Sequence, residues 1–443
     1  MISQRPTSPE PRSTGTRLSF GTQVALGLVA GLALGLLVRG GAGGAWLGEA
    51  LHTTGQIFVQ LLKALVPPLV FTAIVASIAA LRDLENAAKL VVQTLLWFAI
   101  TALIAVTIGI ALGLLLQPGL HAGVEAAAAH APSTSGSWLD FLKGLVPANF
   151  LGLSAATKLA DGTASTALSF NVLQIIVLAI AVGAAAVRVG AAGEPFLAFN
   201  QSALTIFRRL LRWVIALTPI GSAALIGDAV ARYGWDALSA LGAFATAIYL
   251  GLALVLFLVY PLLLAANGLN PLRFFAAAWP AIQLGFVSRS SIGTLPVTED
   301  VTERALGVPR AYAAFAVPLG ATTKMDGCAA IYPAVSAIFV AQFFGVTLHP
   351  LDYGLIAFVS VIGSAATAGL TGATVMLTLT LSTLGLPLEG AGLLLAIDPI
   401  LDMGRTAVNV AGQALVPTLV AKRAGILDSA RFESGSPAGA EPA

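Results

Sequence analysis

Long apolar runs separated by short polar or Gly/Pro-rich breaks dominate the chain. The pattern predicts helical segments over 20–38, 56–81, 90–116, 142–187, 196–226 and 240–266. Most of them reach the roughly 20 residues that cross a bilayer as an α-helix. The 142–187 block is too long for one straight helix and contains Pro147 and the polar stretch 157–166, so it is expected to fold as broken pieces. After Ala266 the pattern changes. Four apolar segments follow, over 274–298, 305–344, 355–381 and 391–420, and the first and third are interrupted midway. One interruption is Ser288-Arg289-Ser290-Ser291-Ile292-Gly293-Thr294; the other, 364–374, is rich in Ala, Gly and Thr. Both are expected to be tips of helical hairpins. Ser291 precedes Asp326 by 35 positions and Gly369 precedes Arg405 by 36, a spacing that hints at an internal repeat. Non-helical backbone at membrane depth survives only where it is buried in protein or lines a watery cavity, so paired interruptions point to a binding site.

Composition agrees with a membrane reading. Of 443 residues, 57% are hydrophobic and 10% charged, against roughly 25% charged in ordinary soluble domains. A net charge of +2 without any block of like charges argues against nucleic acid as a partner, leaving the lipid bilayer and small solutes. The single cysteine, Cys328, excludes an internal disulfide and a thiolate metal site, and His52, His121, His130 and His349 show no ligand spacing. No cofactor is implied. Residues 1–18, rich in Pro, Ser, Thr and Arg, read as a disordered cytoplasmic tail. The apolar run after them is too long for a cleaved signal peptide. Counting spans alternately places Arg12, Arg17, Arg82, Lys89, Lys422 and Arg423 on one side, which should be cytoplasmic, so both termini are expected there.

Arg289, Lys324, Asp326, Asp398, Asp402 and Arg405 all lie within apolar segments. Each would cost about 3 kcal/mol at a helix centre, about 18 kcal/mol for all six if unpaired. They are therefore expected to face one another or water. Steps of 4, 3, 4 and 4 place Asp398, Asp402, Arg405, Asn409 and Gln413 on one helical face. A structural ion-pair network would explain the charges alone. It would not need the serine-rich tip, Thr406 or Asn409, whereas a zwitterionic ligand with a second carboxylate uses all of them.

Three motifs are recognisable: Ser288 to Pro296 (SRSSIGTLP), Pro318 to Gly327 (PLGATTKMDG), and Asp402-Met403-Gly404-Arg405-Thr406 with Asn409. The chain resembles the dicarboxylate/amino acid:cation symporters, the glutamate transporter family, most strongly over 286–420. The resemblance implies an all-α polytopic fold of eight transmembrane helices and two re-entrant helical hairpins with inverted repeats. It further implies a homotrimer in the plasma (inner) membrane whose subunits each move a transport domain like an elevator. The expected division is a tail over 1–18, helices 1–6 over 19–266, a transport core over 267–424 and a disordered C-terminal tail over 425–443. By the same resemblance Arg405 takes the side-chain carboxylate of an acidic amino acid and Asp402 its amino group. Ser291 and neighbouring backbone of the first tip would hold the α-carboxylate with Asn409, Gly369 to Thr374 would form the outer lid, and Arg289, Ser290, Cys328, Ala368 and Thr406 would belong to the same substrate pocket.

The cation positions depart from the family pattern. Lys324 stands where the family has an asparagine beside Asp326, Gln413 where it has a carboxylate, and Phe98, Thr101 and Ala102 where it has tyrosine, threonine and serine. A Lys324 ammonium paired with Asp326 would fill a buried sodium position; in a variant of this reading Lys324 itself carries the transported proton. A residual sodium site of backbone carbonyls could use Gly320, Thr322, Ser364, Ala365 and Thr367. Gln413 is similar to the amide of proton-coupled bacterial members, so the expectation is import of aspartate or glutamate coupled to protons, with sodium as the alternative. Cys328 replaces a threonine, either weakening a substrate hydrogen bond or serving as a small buried residue. Rival functions are a C4-dicarboxylate symporter, a substrate-gated anion channel, and an intramembrane serine hydrolase built on Ser290 or Ser291 with Lys324 as base.

Overall fold

The computed structural model describes residues 20–41, 44–81, 87–122, 146–151, 153–160, 163–232, 241–364, 372–395 and 397–434. Its helices follow the apolar pattern closely. Helices α1 (Phe20–Arg39), α2 (Gly44–Leu81) and α3 (Ala87–Leu116) come first. α2 begins twelve residues before the apolar run and continues through Pro67 and Pro68. The 142–187 block is in pieces, as its polar stretch implied, and that stretch forms two antiparallel strands, β1 (Leu153–Ala160) and β2 (Thr163–Phe170), paired from Leu153↔Phe170 to Ala160↔Thr163. Thr157, Thr163 and Thr166 favour strand over helix, and Asp161-Gly162 between the strands is a two-residue turn sequence. α4 (Val172–Arg188) then begins on Asn171, whose side chain accepts from the Gln174 N–H.

The segment expected over 196–226 is two helices, α5 (Glu194–Ala216) and α6 (Thr218–Arg232), bent by 54° where Pro219 prevents a straight continuation. α1 lies along α6 so closely that a Cβ on Gly27 or Gly31 would come within 2.3 or 2.2 Å of the Pro219 or Ala223 carbonyl oxygen. This small-residue stripe lets two membrane helices meet backbone to backbone. The opposite face of α1 leaves Leu26, Val29, Leu32 and Leu36 exposed, as lipid contact requires.

The second half is more deeply packed. α7 (Gly242–Leu254) runs through a π-helical turn into α8 (Tyr260–Ala266). Next come α9 (Pro271–Ser288), α10 (Ser291–Arg304) and α11 (Arg310–Thr323), then a second π-helical turn (Asp326–Ile331) leading into α12 (Tyr332–Phe343). α13 (Pro350–Ser364), α14 (Gly372–Thr383), α15 (Glu389–Leu395) and α16 (Asp398–Arg423) complete it. Residues 332–341 of α12 and 403–421 of α16 are all buried, so these two helices form the middle of the protein. Within the stretch from residue 425 that was expected to be a disordered tail, Ser429–Ser434 is a short helix, α17, held by Phe432 in the core.

Five helices among the described residues are long and apolar enough to cross a membrane, and the bent α5–α6 pair makes six. α9 and α10 form the first expected hairpin, turning at Arg289 in the left-handed conformation (φ 54°). The tip of the second hairpin, with Ala365, Thr367, Ala368 and Gly369, lies outside the described residues. So does the tail 1–18.

Candidate functional site

The first tip is built by local hydrogen bonds. α9 ends because Arg289 leaves the helix, and Ser290 then caps α10 by accepting the Gly293 N–H at 2.9 Å. Thr294 donates back to the Ser290 carbonyl at 2.8 Å and shares a 3.1 Å hydroxyl contact with Ser288. The N-terminal turn of α10 thereby opens on a cavity of about 440 Å³ with Ser290, Ser291 and Ile292 in its wall. A helix N-terminus carries partial positive charge and suits a carboxylate.

The opposite wall comes from α16 and the π-helical turn. Asp398, Asp402, Thr406 and Asn409 line the cavity from α16, joined by Met325, Cys328 and Ala373. Asn409 holds the turn against α16: its Oδ1 accepts the Gly327 N–H at 2.8 Å and its Nδ2 donates to Cys328 Sγ at 3.0 Å. Gly327 is required there, since a Cβ would come within 2.5 Å of the Arg405 carbonyl oxygen. Thr406 donates to Asp402 Oδ1 at 3.3 Å, and Cys328 Sγ donates to the same oxygen at 3.7 Å.

Arg405 does not stand in the wall as expected. Its side chain is fully buried beneath the two aspartates, with Nη2 2.8 Å from Asp398 and 3.2 Å from Asp402. The guanidinium carbon stacks 4.0 Å from the centroid of the Tyr332 ring. Nε and Nη1 have no hydrogen-bond partner among the described residues. Two carboxylates thus face the cavity with a cation behind them. Lys63 of α2 and Arg289 add two cations at the wall, so among the described residues three positive charges meet two negative ones.

A second polar cluster lies deeper, away from the cavity. The backbone is extended at Lys324 and Met325, between α11 and the π-helical turn. Lys324 and Asp326, both fully buried, form an ion pair at 2.6 Å. The ammonium also donates to Tyr260 Oη at 3.1 Å, and that hydroxyl donates to Asp326 at 2.8 Å. Thr101 donates to the other Asp326 oxygen at 3.4 Å, and Gln413 donates to the Lys324 carbonyl at 3.3 Å. Phe98 and Ala102 are buried, and a Cβ on Gly320 would sit 3.3 Å from Phe98 and 3.4 Å from Gln413. The positions singled out as altered cation ligands on α3, α11 and α16 therefore do converge. Thr322, by contrast, spends its hydroxyl on the Leu319 carbonyl at 2.9 Å. Ser364 ends α13 and Thr374 lies in the first turn of α14.

Sequence reasoning missed several members of both clusters. Asp398 was placed on the polar stripe without a role in the pocket, and Lys63, a charge within the 56–81 run, was not singled out. Tyr332 and Tyr260 gave only the faint signal of a hydroxyl within an apolar run.

Residues 20–423 match the model of the Sodium:dicarboxylate symporter family. The chain belongs to this family. It is a multi-pass membrane symporter and not an enzyme. It is 29% identical over 432 residues to the proton/sodium-glutamate symport protein of Bacillus subtilis (strain 168), covering 94% of this chain and 96% of that one. It is 31% identical over 429 residues to the L-cystine uptake protein TcyP of Shouchella clausii, covering 94% and 91%. It is 29% identical over 383 residues to the proton/glutamate-aspartate symporter of B. subtilis (strain 168), covering 85% and 89%.

Proposed function

We propose that this symporter imports acidic amino acids, aspartate or glutamate, in symport with protons and with little or no dependence on sodium. The observation that carries the substrate class is the set of charges around the cavity. Among the described residues Lys63, Arg289 and Arg405 offer cations to two carboxylates, and Asp398 and Asp402 offer anions to one ammonium. Asp402, exposed to the cavity and steadied by Thr406, receives the amino group. The first turn of α10 with Arg289 receives the α-carboxylate, and the side-chain carboxylate draws Arg405 forward from Asp398. A plain dicarboxylate would bring Asp402 no ammonium. Proton coupling draws support from the neutral Gln413 in the cation region and from relatives named for proton symport. The proposed architecture is eight spans and two hairpins, trimeric, moving as an elevator in the inner membrane with both termini cytoplasmic.

Cystine is the second reading. It is favoured by a cavity larger than aspartate fills and by the similarity to a cystine uptake protein. Its net charge of zero matches the site less well. The test is uptake of labelled aspartate, glutamate, cystine and succinate into proteoliposomes under an imposed proton or sodium gradient. The proposal expects aspartate or glutamate uptake driven by protons. Preferential cystine uptake would replace the substrate assignment, and uptake energised by sodium alone would remove proton coupling.

A further inference from the structure

The buried Lys324 cluster touches no substrate in the scheme above, yet it occupies the middle of the protein. Lys324 is 1% exposed and Asp326 0%. A lysine in that setting ordinarily reaches toward water along its flexible stem. Here it turns inward. Its ammonium lies 2.6 Å from Asp326 and 3.1 Å from the Tyr260 hydroxyl, and 5.1 Å from the centroid of the Tyr260 ring. The surrounding chain is shaped to receive it. A Cβ on Gly412 would fall 2.1 Å from Lys324 Nζ and 2.5 Å from Tyr260 Oη, so only glycine at 412 leaves the ammonium its place on α16. Gln413, the next residue, holds the Lys324 backbone.

Removing the ammonium leaves the Asp326 carboxylate and the Tyr260 hydroxyl at the point it occupied, with the Thr101 hydroxyl on the other carboxylate oxygen. Hard monovalent cations take such oxygen donors, and an unpaired carboxylate there would be strongly unfavourable. Asp326 also begins the π-helical turn that carries Cys328 to the cavity and is clamped to α16 through Asn409. The charge on Asp326 therefore bears on the order of the substrate wall.

We infer that the Lys324 ammonium is a built-in cation that neutralises Asp326 permanently and orders the π-helical turn, at a point where a free monovalent cation would otherwise be needed. The consequence for coupling rests on the symport reading; the device itself does not. Transport would have no sodium to carry at this position, because its occupant is covalently attached.

The experiment compares full-length wild type with Lys324→Ala in detergent, using choline as the inert salt and sodium, ammonium or methylammonium as the added cation. Thermal melting without substrate is read first, then binding of labelled aspartate. Lys324→Ala should melt below wild type, and at least one small cation should raise its Tm saturably, with no such rise for methylammonium in wild type. Its aspartate affinity should fall at least about 100-fold in choline, as expected for an uncompensated buried charge, and recover with the same cation. Recovery of folded variant only when methylammonium is present during purification supports the inference equally. Lys324→Met combined with Asp326→Asn has no charge left to balance and should show no cation response. A Lys324→Ala protein with no cation response beyond that of wild type, or one not recovered under either condition, overturns the inference, as does a response retained in the double variant. Should aspartate bind no form of the protein, the substrate assignment fails while the melting comparison still decides the role of Lys324.

Discussion

Replacing Arg405 by lysine keeps the charge of the binding site and removes its geometry. In the structure one nitrogen, Nη2, bridges Asp398 at 2.8 Å and Asp402 at 3.2 Å while the planar group lies on Tyr332 at 4.0 Å. A lysine ammonium at the end of a shorter stem can hold one of the two aspartates well, and it lacks the flat face that stacks on the ring. Against a substrate carboxylate that the guanidinium would fork, an ammonium gives up one charge-assisted hydrogen bond, about 1.5–3 kcal/mol, and part of a desolvated cation–π contact, about 1 kcal/mol. A total of about 3 kcal/mol corresponds to about a 100-fold rise in Kd. This loss should fall on acidic substrates, whose side-chain carboxylate needs the guanidinium as well. Arg405→Gln removes the charge too, leaves Asp398 and Asp402 facing each other without a cation, and should abolish aspartate and glutamate binding altogether. Equilibrium binding of labelled aspartate to purified protein, with a melting curve on each variant to verify folding, measures the series. A lysine variant within about threefold of wild type would refute the reasoning, because it would reduce Arg405 to a counter-ion for the two aspartates.

Three further changes test separate parts of the site. Lys63→Gln removes one positive charge of the cavity and should weaken aspartate binding several-fold at low salt and less at high salt, shifting competition toward net-neutral cystine. Ser290→Ala removes the cap of α10 and should cost about 1 kcal/mol of stability, seen as a lower Tm, together with weaker aspartate binding. Cys328→Ser puts a stronger donor of nearly the same size between Asn409 and Asp402. Binding should tighten by about 0.5–1 kcal/mol, a few-fold in Kd, which titration calorimetry would measure.

The parts of this site that could be read in the sequence are those where burial makes a residue type expensive. Charges within apolar runs are costly enough that Asp402, Arg405, Lys324 and Asp326 stand out in the sequence, and the 3.6-residue period places three cavity-lining side chains of α16, Asp398, Asp402 and Asn409, on one face. Depth on that face is a different matter. Arg405 shares the stripe with Asp402, yet its longer side chain turns down onto Tyr332 while the aspartates stay in the wall, a choice made by a tyrosine 73 positions away in sequence. The strands at 153–170 escaped for a related reason: a polar segment inside an apolar block signals a break, and only its threonines and the Asp161-Gly162 turn hint at strand. Tyr260 lies on a helix whose pattern is uniformly apolar around it, so nothing local separates it from residues facing lipid, whereas Lys63 is a charge within the 56–81 run and carries the same signal as the others. Their roles follow from which helices meet. Sequence spacing within one helix therefore identified one wall of the cavity, while a cation of the facing wall comes from Lys63 on α2, and the seating of Lys324 beside Asp326 depends on Tyr260 from α8 and a missing side chain at Gly412.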